Sequence, residues 1–439
     1  MGPFRPTAGC SVTQSSRQNS YRVATKEAGL SHDDIKQALL DYFVECAEVK
    51  RILIVPPDIS RSNSYAGPIV ELLCRRFPAA EIDILPALGT HMPMSAREIR
   101  KMYGGVPADK FMVHDWRHDT VAIGRVSSSY MRELSENQLD YDLAVDVSRH
   151  VLNPDYDLVI SVGQVVPHEV AGFANYTKNI LVGCGGSNMI GQSHYLGALH
   201  GMERIMGRAD NPVRSLYNYA AREFLDHVPI VYILTVTTLD RTGLKVEGLS
   251  IGKGDELFVR TAALSAQKNM TFLEQPIKKA VVYLDPEKFK TTWVGNKAIY
   301  RTRMAIADGG ELLIMAPALE ACGEDLENDR LIKKFGYLPR GGVLAAVKGD
   351  RELGENLAVA AHLIHGSSEG RFKITYAPGK MSREQMVALK YDYMRPEVAL
   401  AMYDVEGLRE GFNIVQGEEI FFVSNPALGL WTTRERFNN

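Results

Sequence analysis

The sequence predicts an α/β protein of two domains, each built on a mostly parallel sheet flanked by helices. Three observations lead there. Apolar runs of four to six residues, bounded by Gly, Pro or Asp, recur along the chain and read as buried strands. Amphipathic stretches of helical period alternate with them, the pattern that builds parallel sheets. The 439 residues are also too many for one comfortable hydrophobic core. Ligands of open α/β sheets sit beyond the carboxyl ends of the strands, so the active site is expected in the interdomain cleft.

The expected strands are Arg51–Val55, Glu81–Leu85, Leu158–Val162, Ile230–Val236, Ala280–Leu284, Glu311–Met315, Val343–Val347 and Glu419–Val423. From Asp33 onward, Ile35, Leu39, Leu40, Phe43 and Val44 fall on one helical face behind an acidic start. Pro212–Leu225 and Leu257–Met270 share that periodicity, and Ser382 with Gln385 forms a capping box. LKVEGLSIGKGDE, after the Ile230 strand, reads as a small β-rich connection. These readings divide the chain into a polar leader (1–20), an N-terminal α/β domain (21–276) and a C-terminal α/β domain (277–439). The second domain is expected to contribute to the substrate pocket, with its last segment packing back on the first.

Composition excludes several classes. A formal charge of −3 gives no basic field for nucleic acid. No stretch approaches 18 consecutive apolar residues, so no membrane span is expected. The five cysteines are odd in number, widely spaced and without a C-x-x-C pair, which favours a reducing, cytoplasmic setting over a disulfide or zinc framework.

Three strands end in polar loops. After Arg51–Val55 come Pro57-Asp58-Ile59-Ser60-Arg61. Asp58 suits a hydroxyl or a cation, and Arg61 offers a planar fork for carboxylate or phosphate; a turn cap and a surface arginine are the plainer alternatives. After the next strand, Gly89-Thr90-His91 pairs a close-approach glycine with an imidazole that titrates near neutrality. The densest loop holds His168, Lys178, the glycines Gly183, Gly185 and Gly186, and His194. Its glycine stretch suits a phosphate cradle, yet it is neither a Walker loop nor G-x-G-x-x-G. His168, Lys178 and His194 lie ten and sixteen residues apart, unlike the paired ligands of a zinc hydrolase.

That arrangement, preceded by Asp58-x-x-Arg61 and Gly89-Thr90-His91, resembles the lactate racemase family, the nickel-dependent 2-hydroxyacid racemases and epimerases. The resemblance runs from about Arg51 to Trp431, and further blocks, LDPEKFKTTWVGNKAIYRTRMAIADGGEL, HLIHGSSEGRF and SNPALGLW, resemble a divergent, less characterised branch of that family. It implies a nickel-pincer nucleotide, tethered to Lys178 and ligated by His194, with Asp58, Thr90, Gly183, Gly185 and Gly186 around it. It further implies His91 and His168 as alternating acid/bases on a small 2-hydroxy acid. Oxidation of Cα by hydride loss, then return of the hydride to the other face, inverts the centre without a carbanion, and the shifting hydroxyl needs a base on each side. Cofactor-maturation enzymes and a homo-oligomer are the expected partners.

The chain departs from the family in its second domain. A Tyr-Gln pair and a lysine are expected there to hold substrate; this chain offers Lys297, Tyr300, Arg301 and Arg303. The polar character of this block points toward a longer or polyhydroxylated acid, such as a sugar acid. His365–Arg371 reads either as part of the site or as a rigid loop, and Trp293 with Asn296 either walls the pocket or fills core. Cys184 reads as buried filler, and His114 and His362 as structural. A sugar-acid dehydrogenase or lyase, and a non-catalytic hydroxy-acid or nucleotide-binding protein, remain as alternatives.

Overall fold

The structure, a computed structural model, describes residues 18–46, 48–240 and 242–438. Of the leader expected over 1–20, residues 1–17 lie outside the described residues. The chain divides into two compact units: the first runs to Val166 and adds Phe173–Ile190 and Arg214–Lys268, and the second comprises Pro167–Gly172, Gly191–Val213 and Asn269–Asn439. Chain order and unit membership therefore interleave around the polar loops, and His168 and His194 are carried by the second unit.

The first unit is built on a six-stranded sheet. Its strands are β1 (Ser20–Val23), β2 (Arg51–Val55), β3 (Glu81–Ile84), β4 (Leu158–Gln164), β5 (Ile230–Asp240) and β6 (Gly243–Gly252), in the spatial order β1-β6-β5-β4-β2-β3. β2 pairs in parallel with β3 and β4, and β4 with β5; β6 and β1 close one edge antiparallel. Ile52, Leu53, Ile54 and Val55 are all 0 % exposed, because a parallel strand covered on both faces must be apolar throughout. The β-rich connection expected after β5 is β6.

Helix α1 (His32–Tyr42) starts at Ser31, whose hydroxyl accepts from Asp34 while Asp34 caps back, a reciprocal capping box. Ile35, Leu39 and Phe43 are buried against the sheet as expected, but Leu40 and Val44 are 38 % and 65 % exposed. Leu40 lies on the outer side of the helix, and Val44 falls past its end, in the turn that follows Tyr42, where the helical period no longer applies.

The second unit carries its own six-stranded sheet. Its strands are β7 (Ile277–Tyr283), β8 (Ile306–Ala316), β9 (Lys373–Pro378), β10 (Asp392–Tyr393), β11 (Gly411–Val415) and β12 (Glu418–Val423), ordered β10-β9-β8-β7-β12-β11. All pairings are parallel except the β11–β12 hairpin. Leu430–Thr433, near the chain end, pairs in parallel with Met270–Leu273. The strand expected at Val343–Val347 is instead helix Arg340–Gly349. A short apolar run bounded by glycines fits either period, and its two alanines favour the helix. Among the described residues, no helix is long and apolar enough to cross a membrane.

The packing of α1 and of the turn after it is testable. Leu39→Ala is expected to lower unfolding free energy by about 2–4 kcal/mol, whereas Val44→Ala stays within about 0.5 kcal/mol. Urea titrations followed by circular dichroism measure both.

Candidate functional site

β2 and β3 run in register from Arg51–Glu81 to Ile54–Ile84, and an isolated parallel bridge between Pro57 and Ala87 continues the pairing into the loops. The Asp58 and His91 loops, distant in sequence, therefore lie side by side. Asp58 caps the 3₁₀ turn Ile59–Ser64, taking Ser60 N (3.1 Å) and Ser60 Oγ (2.5 Å) on Oδ1. Its other oxygen, Oδ2, lies 2.6 Å from His91 Nδ1. The carboxylate is buried and the imidazole partly exposed. A carboxylate only accepts, so Nδ1 carries a proton toward it, and in the neutral ring Nε2 is the basic nitrogen. His91 is thus set as a base pointing away from Asp58. Gly89 makes the turn at φ +56°, and its N–H donates to Gly183 O (2.9 Å). Arg61 and Thr90 are half-buried beside these groups in the same two loops.

Lys178 stands on the short helix Thr177–Leu181. Along Leu158–Val182 every residue is buried except this one. The turn before it is strained: Asn175 and Tyr176 both have positive φ (64° and 59°), and Tyr176 pairs that with ψ −135°. Several contacts hold the turn. Arg214, 2 % exposed, donates to Phe173 O (2.6 Å), Asn175 O (3.2 Å) and Thr177 Oγ1 (3.1 Å) and lies over the Phe258 ring. Burial pulls its pKa down to about 10, which leaves it charged at neutral pH. Tyr176 stacks on Phe258 and donates to Asp255 (3.2 Å), and Asn179 Nδ2 donates to Val55 O and Ser161 Oγ, both at 3.0 Å.

The glycine stretch is packed against its own chain. Gly183 N donates to Lys178 O, Cys184 N to Ile180 O, Gly185 N to Val182 O and Gly186 N to Asp146 O. A Cβ on Gly186 would meet the Asp146 carboxylate at 2.4 Å. That carboxylate also takes Asn188 N (3.1 Å) and Met189 N (2.8 Å) at the start of helix Ser187–His200. The amides expected to cradle a phosphate are therefore engaged within the protein. Buried His114 holds the stretch from below, its Nε2 3.0 Å from Gly185 O. Cys184 is wholly buried, which pushes its thiol pKa up, as filler and not as a nucleophile.

In the second unit the structure gathers His168, Glu169, Lys297, Tyr300 and Arg301. His168 Nδ1 accepts Val170 N–H (3.0 Å), so its neutral ring carries the proton on Nε2, the opposite tautomer to His91. Nε2 lies 3.8 Å from Glu169 Oε1. Burial opposes ionisation of Glu169, yet His168, Arg301 and Lys297 outweigh it and hold the carboxyl well below the usual range. Arg301 is 0 % exposed; it donates to Pro167 O and lies 3.4 Å from Glu169 Oε2. Lys297 and Tyr300 are also buried. The cationic residues expected to meet substrate thus already surround an internal anion, Glu169, to which the sequence reading gave no role. The His365–Arg371 loop is tied down by Arg303, which donates to His365 O (3.3 Å) and Ser367 O (3.0 Å). The Trp293 and His362 rings lie 4.4 Å apart, tilted by 32°, within the same unit.

His194 lies half-buried on helix Ser187–His200, with Nδ1 3.5 Å from Ser193 Oγ. Among the described residues, no three His, Cys, Asp or Glu side chains converge as a protein-only metal site would require. A lone imidazole fits a metal that arrives with its other ligands, and the one half-buried lysine in a buried run fits a covalent tether. The glycine amides do not fit the phosphate.

Two α/β units with polar loops at the strand ends define the class, and comparison with known proteins narrows it. Residues 30–207 match the family described as the lactate racemase N-terminal domain. A lactate racemase from Thermoanaerobacterium thermosaccharolyticum is 26 % identical over 193 residues, a match spanning 41 % of each chain. The fold extends further than that. A solved protein from Thermotoga maritima, 21 % identical, superposes with TM-score 0.80 over 94 % of this chain and 100 % of its own. The lactate racemase apoprotein from Thermoanaerobacterium thermosaccharolyticum, 17 % identical, gives 0.68 over 92 % and 93 %. The chain is lactate-racemase-like in its N-terminal sequence and in its two-domain α/β fold, as the motif spacing had implied.

Burial pushes the pKa of His365 down to about 4, and burial with neighbouring His365 pushes His362 down to about 3. Unfolded histidine titrates near ~6.5, so below that pH the unfolded chain binds protons that the folded one refuses. Stability is therefore complete above ~6.5 and falls by about 1.4 kcal/mol per pH unit per histidine toward pH ~4. Unfolding of His365→Gln, measured from pH 7 to 4, is expected to show a slope shallower by about one proton. Parallel curves would contradict the assignment.

Proposed function

We propose that the protein is an isomerase that inverts Cα of a 2-hydroxy acid, a racemase or epimerase. The Asp58–His91 hydrogen bond carries this reading: it orients an imidazole, with Nδ1 toward the carboxylate, at the carboxyl end of a parallel sheet, where ligands of such folds bind. The family matched by residues 30–207 and the lactate racemase relative support the same chemistry.

In this reading His91 takes the hydroxyl proton as Cα is oxidised, and Asp58 stabilises the imidazolium that results. His168 serves the opposite face. Its Nε2–H steadies the oxygen of the transient 2-oxo acid, and ionised Glu169 offsets the charge whenever that ring is protonated. Arg61, half-buried in the Asp58 loop, is the proposed carboxylate contact. Lys297, Tyr300 and Arg301 shape the substrate side within the second unit. A nickel-pincer nucleotide tethered to Lys178 and ligated by His194 would supply the hydride acceptor when bound. Lys178 is held for attachment by the Arg214 clamp, and attachment makes cofactor-maturation enzymes the proposed partners.

Two measurements test this. Protein made alongside maturation enzymes should carry a nucleotide-sized mass adduct and about one nickel per chain, both lost in Lys178→Ala. Absence of both from the wild type, under conditions that load a known racemase, would refute the cofactor assignment. Asp58→Asn keeps the side-chain size but removes the anion behind His91; kcat should fall about 10²–10⁴-fold with little change in substrate affinity.

A further inference from the structure

The loop that carries Asp58 is tied at its backbone on both sides. Ahead of it, Ala87 N donates to Pro56 O (2.8 Å), and the buried Tyr103 hydroxyl donates to Pro57 O. Tyr103 closes helix Ala96–Tyr103, which follows the His91 loop in the chain. Behind it, Arg61 N donates to Asp58 O (3.0 Å). The backbone leaves one thing undecided, the rotation of the carboxylate, because the last torsion of an aspartate is broad. Ser60 settles it. Its amide and its hydroxyl both donate to Oδ1, at 3.1 and 2.5 Å, which leaves Oδ2 facing His91 Nδ1 at 2.6 Å. A carboxylate has no proton to give, so the single hydroxyl proton of Ser60 is spent on it. All of these residues belong to the first unit.

We propose that Ser60 is a positioning residue for His91: its hydroxyl locks the Asp58 carboxylate in the one rotation that holds the imidazole with Nδ1–H inward. The proposal rests on the racemase reading, in which His91 is a base. Capping the turn Ile59–Ser64 needs only the Ser60 amide, so the hydroxyl is surplus to the cap. A carboxylate oxygen held by one donor swings about it; a second, charge-assisted bond to the same oxygen fixes the plane. Without that bond Oδ2 leaves Nδ1, and a neutral imidazole then carries its proton on either nitrogen. Only the Nδ1–H form presents Nε2 as a base. Losing the hydroxyl therefore lowers the competent fraction of molecules and leaves the substrate contacts intact.

Long-range ¹H–¹⁵N correlation of the full-length protein reads the tautomer directly, at pH about 8.5 where an ordinary imidazole is neutral. The His91 signals are assigned by their loss in His91→Asn. Wild type and Ser60→Thr, which keeps the hydroxyl, should show Nδ1–H alone. Ser60→Ala should show both tautomers in exchange. Ser60→Cys, a weak donor of similar size, should show the same mixture and serves if the alanine variant does not fold. Ser60→Ala or Ser60→Cys with Nδ1–H alone, or a wild type protonated only on Nε2, would overturn the proposal. On protein loaded by maturation enzymes, Ser60→Ala should lower kcat about tenfold with KM within about twofold, and Ser60→Thr should restore it. A loss confined to KM would also overturn it. Loaded wild type that inverts no 2-hydroxy acid sinks the racemase reading alone, because the tautomer is read without turnover.

Discussion

The parallel pairing of β2 with β3 and β4 is the constraint on which the candidate site in the first unit depends. Parallel strands end on the same side, so the loops after β2 and β3 must emerge as neighbours. The pairing continues past the strands through the Pro57–Ala87 bridge. That register carries Asp58 Oδ2 to within 2.6 Å of His91 Nδ1. A slip of one residue would turn both side chains away. The apolar burial of β2 and β4 is what makes such a slip costly, so hydrophobic packing in the sheet fixes the tautomer of a histidine outside it.

A second device is the clamp on the turn before Lys178. Left-handed backbone at a tyrosine is unfavourable, and burying a guanidinium is more so. The two costs offset each other here. The carbonyls exposed by the irregular turn at Phe173 and Asn175 are the acceptors that Arg214 requires. The second unit applies the same logic to Glu169, kept ionised in a buried setting by His168, Arg301 and Lys297. In each unit a buried charge is thus held among groups of the same unit: Arg214 by the carbonyls of the turn, and Glu169 by its cationic neighbours.

The central strands were legible because a strand buried on both faces has to be an apolar run, as Arg51–Val55 and Leu158–Val162 are. Val343–Val347 met the same criterion and is helical, since a five-residue run carries no period of its own. At the site, the loops holding Asp58, His91, His168 and Lys178 stood out by composition. Their partners did not. Asp58 and His91 are joined by strand register, which no single segment encodes. His362 looked unpartnered because Tyr300 and Tyr337 lie 62 and 25 residues away. Arg214 left one trace, a charged residue on the apolar side of the Pro212–Leu225 helix, where it is 2 % exposed. Glu169 left none, because its cationic neighbours come from Lys297 and Arg301, far along the chain. The glycine stretch misled in the other direction: its glycines are required by contact with Asp146 and the preceding helix, a need that looks the same in sequence as an anion cradle.

Inversion at Cα by this protein is tested most directly with glycerate and lactate deuterated at Cα, incubated in ordinary water with protein made alongside maturation enzymes. Chiral separation with mass detection then reports both configuration and isotope. The account predicts inversion with the deuterium retained, abolished in His91→Asn. Loaded protein that leaves configuration unchanged, or that inverts it while exchanging deuterium for solvent hydrogen, would contradict it.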